Sequence, residues 1–325
     1  KPKGSLGVLE TISVRLAGIY RGKLSPEKKT VIVMAGDHGI ATQGVSAYPQ
    51  EVTSQMVRNF LNGGAAINVL ARLTKARVVV VDMGTLCETE PHENLYIKRI
   101  RAGTNNIAIG QAMARKEALE CIEAGIEIVS REIRLGARVI ATGEMGIGNT
   151  SASAAIFSVL SGKKAEYVVG TGTGISSEAL AKKIKLVNQA VTVNDPDPRD
   201  PVDVLAKVGG LEIGGMTGVI LGAASLGVPV VVDGYVSGAA AMLAMELAPL
   251  SRDYLFFSHL SAEAGHKLML EWLGVKPLLQ LDMRLGEGTG AVLAFPLLDA
   301  AVRVYEEMAT FDEAKISPKR EEANG

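Results

Sequence analysis

Six short runs of apolar, largely β-branched residues recur along this chain without alternating with polar ones: Val31-Ile32-Val33-Met34, Val78-Val79-Val80-Val81, Val139-Ile140-Ala141, Tyr167-Val168-Val169, Val230-Val231-Val232 and Leu278 to Leu281. A strand with one wet face alternates, whereas a strand covered on both faces does not. The runs therefore predict a parallel sheet with helices on either side. Helical spacing lies between them. Ile122, Ile126, Val129 and Ile133 fall on one face, as do Leu180, Ile184, Val187 and Val191 behind the cap candidates Ser176 and Ser177. Strand and helix in alternation predict an α/β fold of the doubly wound kind.

With 325 residues the chain is long enough for one large domain, or a main domain with a small accessory one. Apolar residues make up 47%, too many for a disordered chain. Lys and Arg number 34 against 35 Asp and Glu, a net charge of −1, which lacks the basic excess of a dedicated nucleic-acid binder. Cys87 and Cys121 are too few for a disulfide framework, and neither sits in a C-x-x-C pattern, so a reducing cytoplasm is the expected setting. Lys1-Pro2-Lys3-Gly4 is followed by no apolar h-region, and no signal peptide is expected. Ile213 to Val232 is uncharged and about the length of a membrane span, but its glycines and Pro229 predict a small-residue buried helix feeding the strand Val230-Val231-Val232.

The 36 glycines follow no three-residue period, which excludes collagen. Many sit just after the apolar runs, beside a polar residue: Gly36-Asp37-His38-Gly39, Asp82-Met83-Gly84-Thr85, Thr142-Gly143-Glu144-Met145-Gly146, Gly170-Thr171-Gly172-Thr173-Gly174, Asp233-Gly234 and Arg284-Leu285-Gly286-Glu287-Gly288. Open α/β sheets bind ligands at the carboxyl ends of their strands, so these loops are expected to line one crevice. A glycine in any single loop needs no more than a tight turn to explain it.

Gly146-Ile147-Gly148-Asn149-Thr150-Ser151 and Gly172-Thr173-Gly174-Ile175-Ser176-Ser177 each open a helix, where free N–H groups attract phosphate, and Lys183 adds a charge behind the second. Neither is a G-x-x-x-x-G-K-[ST] loop or a G-x-G-x-x-G unit, which argues against ATP and NAD. Glu287, flanked by glycines, can be approached closely by substrate and suits a general base; Arg284 suits a phosphate or carboxylate. An exposed turn with a solvated glutamate explains the same residues. Asp37-His38 fits a catalytic pair or a loop hydrogen bond. His259, Glu263 and His266 would share a face only if one helix held all three; a cap at Ser258 or Ser261 removes His259, no fourth ligand is evident, and no metal is expected. Asp82 and Asp233 stand alone at strand ends, without the adjacent acids that usually handle magnesium pyrophosphate.

In chain order, Lys1-Pro2-Lys3-Gly4-Ser5-Leu6-Gly7, Gly36-Asp37-His38-Gly39, Gly143-Glu144-Met145-Gly146-Ile147-Gly148-Asn149-Thr150, Pro196-Asp197-Pro198-Arg199-Asp200 and Arg284-Leu285-Gly286-Glu287-Gly288 resemble the nicotinate-nucleotide–dimethylbenzimidazole phosphoribosyltransferase family. Val208-Gly209-Gly210, Gly215-Met216-Thr217-Gly218 and Ser258-His259-Leu260-Ser261-Ala262-Glu263 extend the match, which reaches from residue 1 to about residue 300.

The resemblance implies a pentosyltransferase that moves phosphoribose from nicotinate mononucleotide to 5,6-dimethylbenzimidazole or a related base. The products are nicotinate and α-ribazole 5′-phosphate, used in assembling the nucleotide loop of cobalamin. It implies Glu287 as catalytic base and Glu144 as a second carboxylate near the ribose. Gly146, Gly172, Lys183 and Arg284 take the phosphate, Tyr48, Met56 and Leu285 line the base pocket, and no cofactor or metal is used. Burial of Glu287 would raise its pKa, and Arg284, if near, would lower it. The implied fold is a Rossmann-like domain over 30–300. A small helical domain is formed by 1–29 with 301–325 and by a segment expected upstream of Lys1, in a homodimer. Two rivals are an NAD-dependent oxidoreductase, which lacks its G-x-G-x-x-G unit, and a non-catalytic nucleotide- or corrinoid-binding module, which needs no base at Glu287.

Overall fold

The strands divide their side chains between two apolar layers, one on each face of a central sheet. A computed structural model describes residues 1–22 and 24–317. In chain order the strands are β1 (Lys29–Gly36), β2 (Arg77–Gly84), β3 (Leu95–Ile97), β4 (Val139–Met145), β5 (Val230–Val232), β6 (Leu255–Phe257), β7 (His259–Leu260) and β8 (Leu279–Gln280). The helices are α1 (Val8–Tyr20), α2 (Val52–Leu61), α3 (Ala66–Thr74), α4 (Arg115–Arg134), α5 (Asn149–Ser161), α6 (Ala165–Val168), α7 (Ser177–Asn194), α8 (Pro201–Val208), α9 (Leu211–Ser225), α10 (Tyr235–Leu247), α11 (Ala264–Leu273) and α12 (Thr289–Glu307).

Among the described residues β1 to β6 form one parallel sheet in the order β3-β2-β1-β4-β5-β6. Ile32, Met34, Val79, Val81, Ile140, Val230 and Val232 face α4, α5 and α8 to α11. Val31, Val33, Ala35, Val80, Val139, Ala141 and Val231 face α1, α2, α3 and α12. Both faces are dry, which is why the runs do not alternate. The strand order reverses between β1 and β4, where the first crossover turns the other way and opens a crevice at the carboxyl edge.

Two of the six expected strands need correction. Tyr167-Val168-Val169 lies at the end of α6 and just past it: Ala165 and Val168 are buried while Tyr167 points outward, the i, i+3 pattern of a helical turn. So short an apolar run carries too few residues to separate the two periods. Of Leu278 to Leu281 only Leu279–Gln280 is strand, and it pairs with β7 in a separate two-stranded sheet. Conversely, β3 and β6 extend the main sheet at its two edges with three residues each, and lack the all-valine run that marks the equally short β5.

The Ile213–Val232 segment folds as expected, helix α9 then strand β5, and no described helix is long and apolar enough to cross a membrane. Its glycines have a specific cause. A Cβ at Gly218 would run into the Ile122 carbonyl oxygen of α4, and one at Gly125 into the Gly215 carbonyl oxygen. The two helices touch backbone to backbone, so the buried face of α4 runs through Cys121 and Gly125, and Ile126, expected on the apolar stripe, is partly exposed. Ser176 caps α7 as expected, its hydroxyl accepting from Ala179 N–H at 3.3 Å.

The chain ends meet. Ser13 Oγ donates to Ala301 O at 2.7 Å, and Ile12 and Leu16 share an apolar layer with Phe295, Leu298 and Val302. Of the expected grouping of 1–29 with 301–325, Lys23 and residues 318–325 lie outside the described residues.

Candidate active site

The carboxyl edge of the sheet holds a cleft of about 550 Å³. Its walls come from the end of β4 (Glu144, Met145), the loop into α5 (Gly146 to Thr150), Gly172-Thr173, Asp233 to Ser237, and Arg284 to Glu287. Four of the six glycine loops therefore converge as expected. The other two do not line it. Asp82 closes its own turn, accepting from Gly84 N at 3.0 Å and Thr85 N at 2.8 Å, and Asp37-His38 lies beneath Gly146.

Glu287 is held at φ 63°, in the left-handed region that a side chain rarely occupies, between Gly286 and Gly288, also at positive φ. Such a conformation persists where surroundings enforce it. The carboxylate is buried and accepts at Oε2 from Ile67 N at 3.2 Å, an N–H of the first turn of α3. Burial raises its pKa, and the Ile67 N–H offsets part of that. Arg284 turns elsewhere: its Nη1 donates to Gly172 O at 3.0 Å. The competition left open by the sequence thus resolves in favour of burial.

Glu144 faces the same cleft, with Asn149 Nδ2 donating to its Oε2. Burial and then the Asp233 carboxylate push its pKa up to about 8, with Asn149 opposing. A Cβ at Gly286 would overlap Glu144 Oε1, so the two loops touch at these residues. Asp233 rises to about 7 through burial, against the N–H groups of Ala291, Gly288 and Gly290 at the start of α12. Between its ordinary value and about 8, the folded state holds a proton on Glu144 that the unfolded chain has lost, so stability falls as pH rises through that window. Glu144→Gln, which mimics the neutral acid, is expected to lessen that fall and to stabilise the protein at pH ~8 relative to pH ~5, by a few kcal/mol at most. Urea denaturation at the two pH values measures it; an unchanged pH dependence would remove the raised pKa.

The two phosphate-type loops meet across the cleft. Gly148 caps α5 at φ 101°, and the N–H groups of Gly148 and Thr173 have no intramolecular acceptor among the described residues. The Gly172 N–H is taken by Glu263, whose Oε1 and Oε2 lie at 3.2 and 3.0 Å. Lys183 does not line the cleft. Its buried Nζ ties the loops together from below, donating to Thr150 Oγ1 at 2.8 Å and Gly170 O at 3.2 Å, and burial lowers its pKa to about 8. Tyr48, Met56 and Leu285 form an apolar wall with Val45 and Val52; Met56 and Val52 sit one helical turn apart on α2.

His259, Glu263 and His266 do not share a helix. His259 is on β7 and Glu263 is the N-cap of α11, one position outside it. His259 Nδ1 lies 3.1 Å from Ser258 Oγ and 3.9 Å from Asp233 Oδ1, and His266 Nδ1 accepts from Ser261 N at 2.9 Å. Burial lowers both histidines, His266 to about 3. No group of three or more such side chains suited to a metal ion occurs among the described residues. Glu263 and the Ile67 N–H could not be picked from the sequence as site partners, because each joins a loop distant in the chain; Asn149, five residues from Glu144, was within reach of a local reading.

The model of a phosphoribosyltransferase family matches residues 1–316. The chain is 54% identical over 319 residues to the nicotinate-nucleotide–dimethylbenzimidazole phosphoribosyltransferase of Desulforamulus reducens, covering 98% of this chain and 91% of that one. To the enzyme of the same name from Desulforudis audaxviator it is 55% identical over 318 residues, covering 98% and 90%. The crystal structure of CobT from Thermus thermophilus superimposes with a TM-score of 0.95 at 47% identity, covering 98% of this chain and 96% of that one. With a family model and relatives matching nearly its whole length, the chain belongs to the nicotinate-nucleotide–dimethylbenzimidazole phosphoribosyltransferase family.

Proposed function

We propose that this chain transfers phosphoribose from nicotinate mononucleotide to 5,6-dimethylbenzimidazole or a related base, giving α-ribazole 5′-phosphate and nicotinate for cobalamin nucleotide-loop assembly. One observation carries the reading: a buried carboxylate, Glu287, lines the same cleft as apolar side chains that suit a flat ring and two glycine loops that suit a phosphate. Family membership supplies the substrates.

In the reaction the benzimidazole lies against Tyr48, Met56 and Leu285. One ring nitrogen attacks C1′ while the other gives its proton to Glu287. The bond from C1′ to the pyridinium nitrogen breaks with its electron pair staying on that nitrogen, which loses its positive charge. Attack from the opposite face inverts C1′ and gives the α product. Glu144, neutral below about pH 8, is placed to hydrogen-bond the ribose near C1′. The N–H groups of Gly148 and Thr173, in the Gly146 and Gly172 loops, hold the 5′-phosphate with Arg284, and Lys183 contributes from beneath. Holding two substrates in line supplies much of the rate, because it turns a bimolecular step into one within a complex. No step calls for a metal or cofactor. The working unit is a homodimer in this reading, and the free thiols Cys87 and Cys121 fit a cytoplasmic setting.

Purified protein is expected to release nicotinate from nicotinate mononucleotide only when a benzimidazole is supplied, followed as free nicotinate and as the ribotide. Release at the same rate without the base would make it a hydrolase and end this reading. Mixed bases in one reaction would rank the acceptors.

A further inference from the structure

We propose that the buried pair His38–Glu212 is a positioning element that sets the place of the Gly146–Gly148 phosphate loop. His38 Nε2 lies 2.7 Å from Glu212 Oε1, and both side chains are buried. His38 follows β1, and Glu212 is in the first turn of α9, where the helix dipole favours a carboxylate. The pair thus joins the sheet to the glycine-rich helix at the point where the strand order reverses.

The loop rests directly on this pair. A Cβ at Gly146 would stand 3.3 Å from His38 Cδ2 and 3.4 Å from Nε2, and one at Gly148 would stand 3.2 Å from His38 Cβ. On the other side a Cβ at Gly210 would overlap the imidazole at Cε1 and stand 2.8 Å from Glu212 Oε2; at Gly36 it would stand 3.0 Å from that oxygen. His38 is therefore packed between the backbone at Gly146 and Gly148 on one side and at Gly210 on the other, with the Gly36 carbonyl oxygen also close to Gly146. Two neighbours hold the same unit: Gln50 Nε2 donates to His38 O at 3.0 Å, and Ile147 N donates to Thr53 Oγ1 at 3.1 Å. Neither His38 nor Glu212 lines the cleft, so the pair acts on substrate only through the loop. A small displacement of a binding loop is costly, because its free N–H must meet a phosphate oxygen at hydrogen-bond distance.

The inference rests on the phosphate reading of the loop, and the test separates the two. Three variants are compared with the wild-type chain on nicotinate mononucleotide and on nicotinate riboside, which lacks the phosphate, with inorganic phosphate as a competing ligand. His38→Leu removes the bond, Glu212→Gln weakens it while keeping shape, and His38→Gln keeps a side-chain N–H for Glu212. For His38→Leu the KM of the mononucleotide is expected to rise ~10–100-fold and inhibition by phosphate to weaken in parallel, with kcat and the riboside KM held, the pattern of lost binding rather than lost chemistry. Glu212→Gln should follow in the same direction and His38→Gln should restore most of the affinity. Equal losses for both substrates, a fall in kcat at constant KM, or no change in His38→Leu would each overturn the positioning role. So would a failure of both His38→Leu and Glu212→Gln to fold, since the pair would then be a core element. If instead the wild-type chain fails to distinguish mononucleotide from riboside, the phosphate reading of the loop falls first and takes the inference with it.

Discussion

Replacing Glu287 by Gln is expected to cut turnover by ~10²–10⁴-fold, the range for losing a general base, while the protein stays folded. The amide keeps the size of the side chain and an oxygen for the Ile67 N–H at 3.2 Å, so the loop at positive φ retains its anchor. What it loses is the ability to take a proton from the attacking base. The fall should appear in kcat and in kcat/KM alike, since the proton moves only as the ring nitrogen attacks. Burial raises the pKa of Glu287, and a base works only when ionised. The acid limb of the pH–rate profile should therefore lie above the ordinary glutamate value, with activity lost as pH drops through the raised pKa. Nicotinate release against pH for wild type and variant measures both. Wild-type turnover in Glu287→Gln would transfer the base role to another group.

Gly218→Ala is expected to be, with Gly125→Ala, among the most damaging methyl groups that can be added away from the cleft. The new Cβ would meet the Ile122 carbonyl oxygen, which is backbone and cannot rotate away. Either α9 or α4 must shift, and both are packed against the sheet in the same apolar layer. Overpacking usually costs ~1–3 kcal/mol, and a clash with backbone belongs at or above the top of that range, ~3 kcal/mol or more. Gly110→Ala is the control, because a Cβ there meets nothing within 4 Å; a surface change of that kind stays within ~0.5 kcal/mol. Urea midpoints for both variants give the comparison. Equal stabilities would mean that the two helices do not approach as closely as the structure shows.

Both predictions concern residues that stand out in the sequence, yet the sequence shows them unequally well. The glutamate between glycines could be picked as a base candidate from its neighbours alone. That burial rather than Arg284 governs its proton could not, because Ile67 lies 220 residues away and Arg284 had two loops to choose from. Lys183 shows the same limit. Its spacing behind a glycine loop suggests a charge offered to phosphate, but the fold sends its Nζ under the loops to Thr150 and Gly170. Asp37-His38 read equally well as a catalytic pair or as a loop contact, and only Glu212, reached across the sheet-to-helix junction, decides that it lies beneath the site.

The sequence by itself determined the sheet's character, its helical layers and the edge at which ligands bind. These depend on periodicity and on glycine at strand ends, both local properties of the chain. It also determined the family, through motifs spread over nearly its whole length. It misread Tyr167-Val168-Val169, where three residues carry too little periodicity to separate strand from helix, and missed β3 and β6, which lack the all-valine run that marks the equally short β5. Only the tertiary structure decided the direction in which the pKa values of Glu144, Asp233 and Glu287 shift, the partner of each loop N–H, and which glycines are irreplaceable. Those quantities depend on burial and on distances between segments far apart in the chain, and neither is written in the order of the residues.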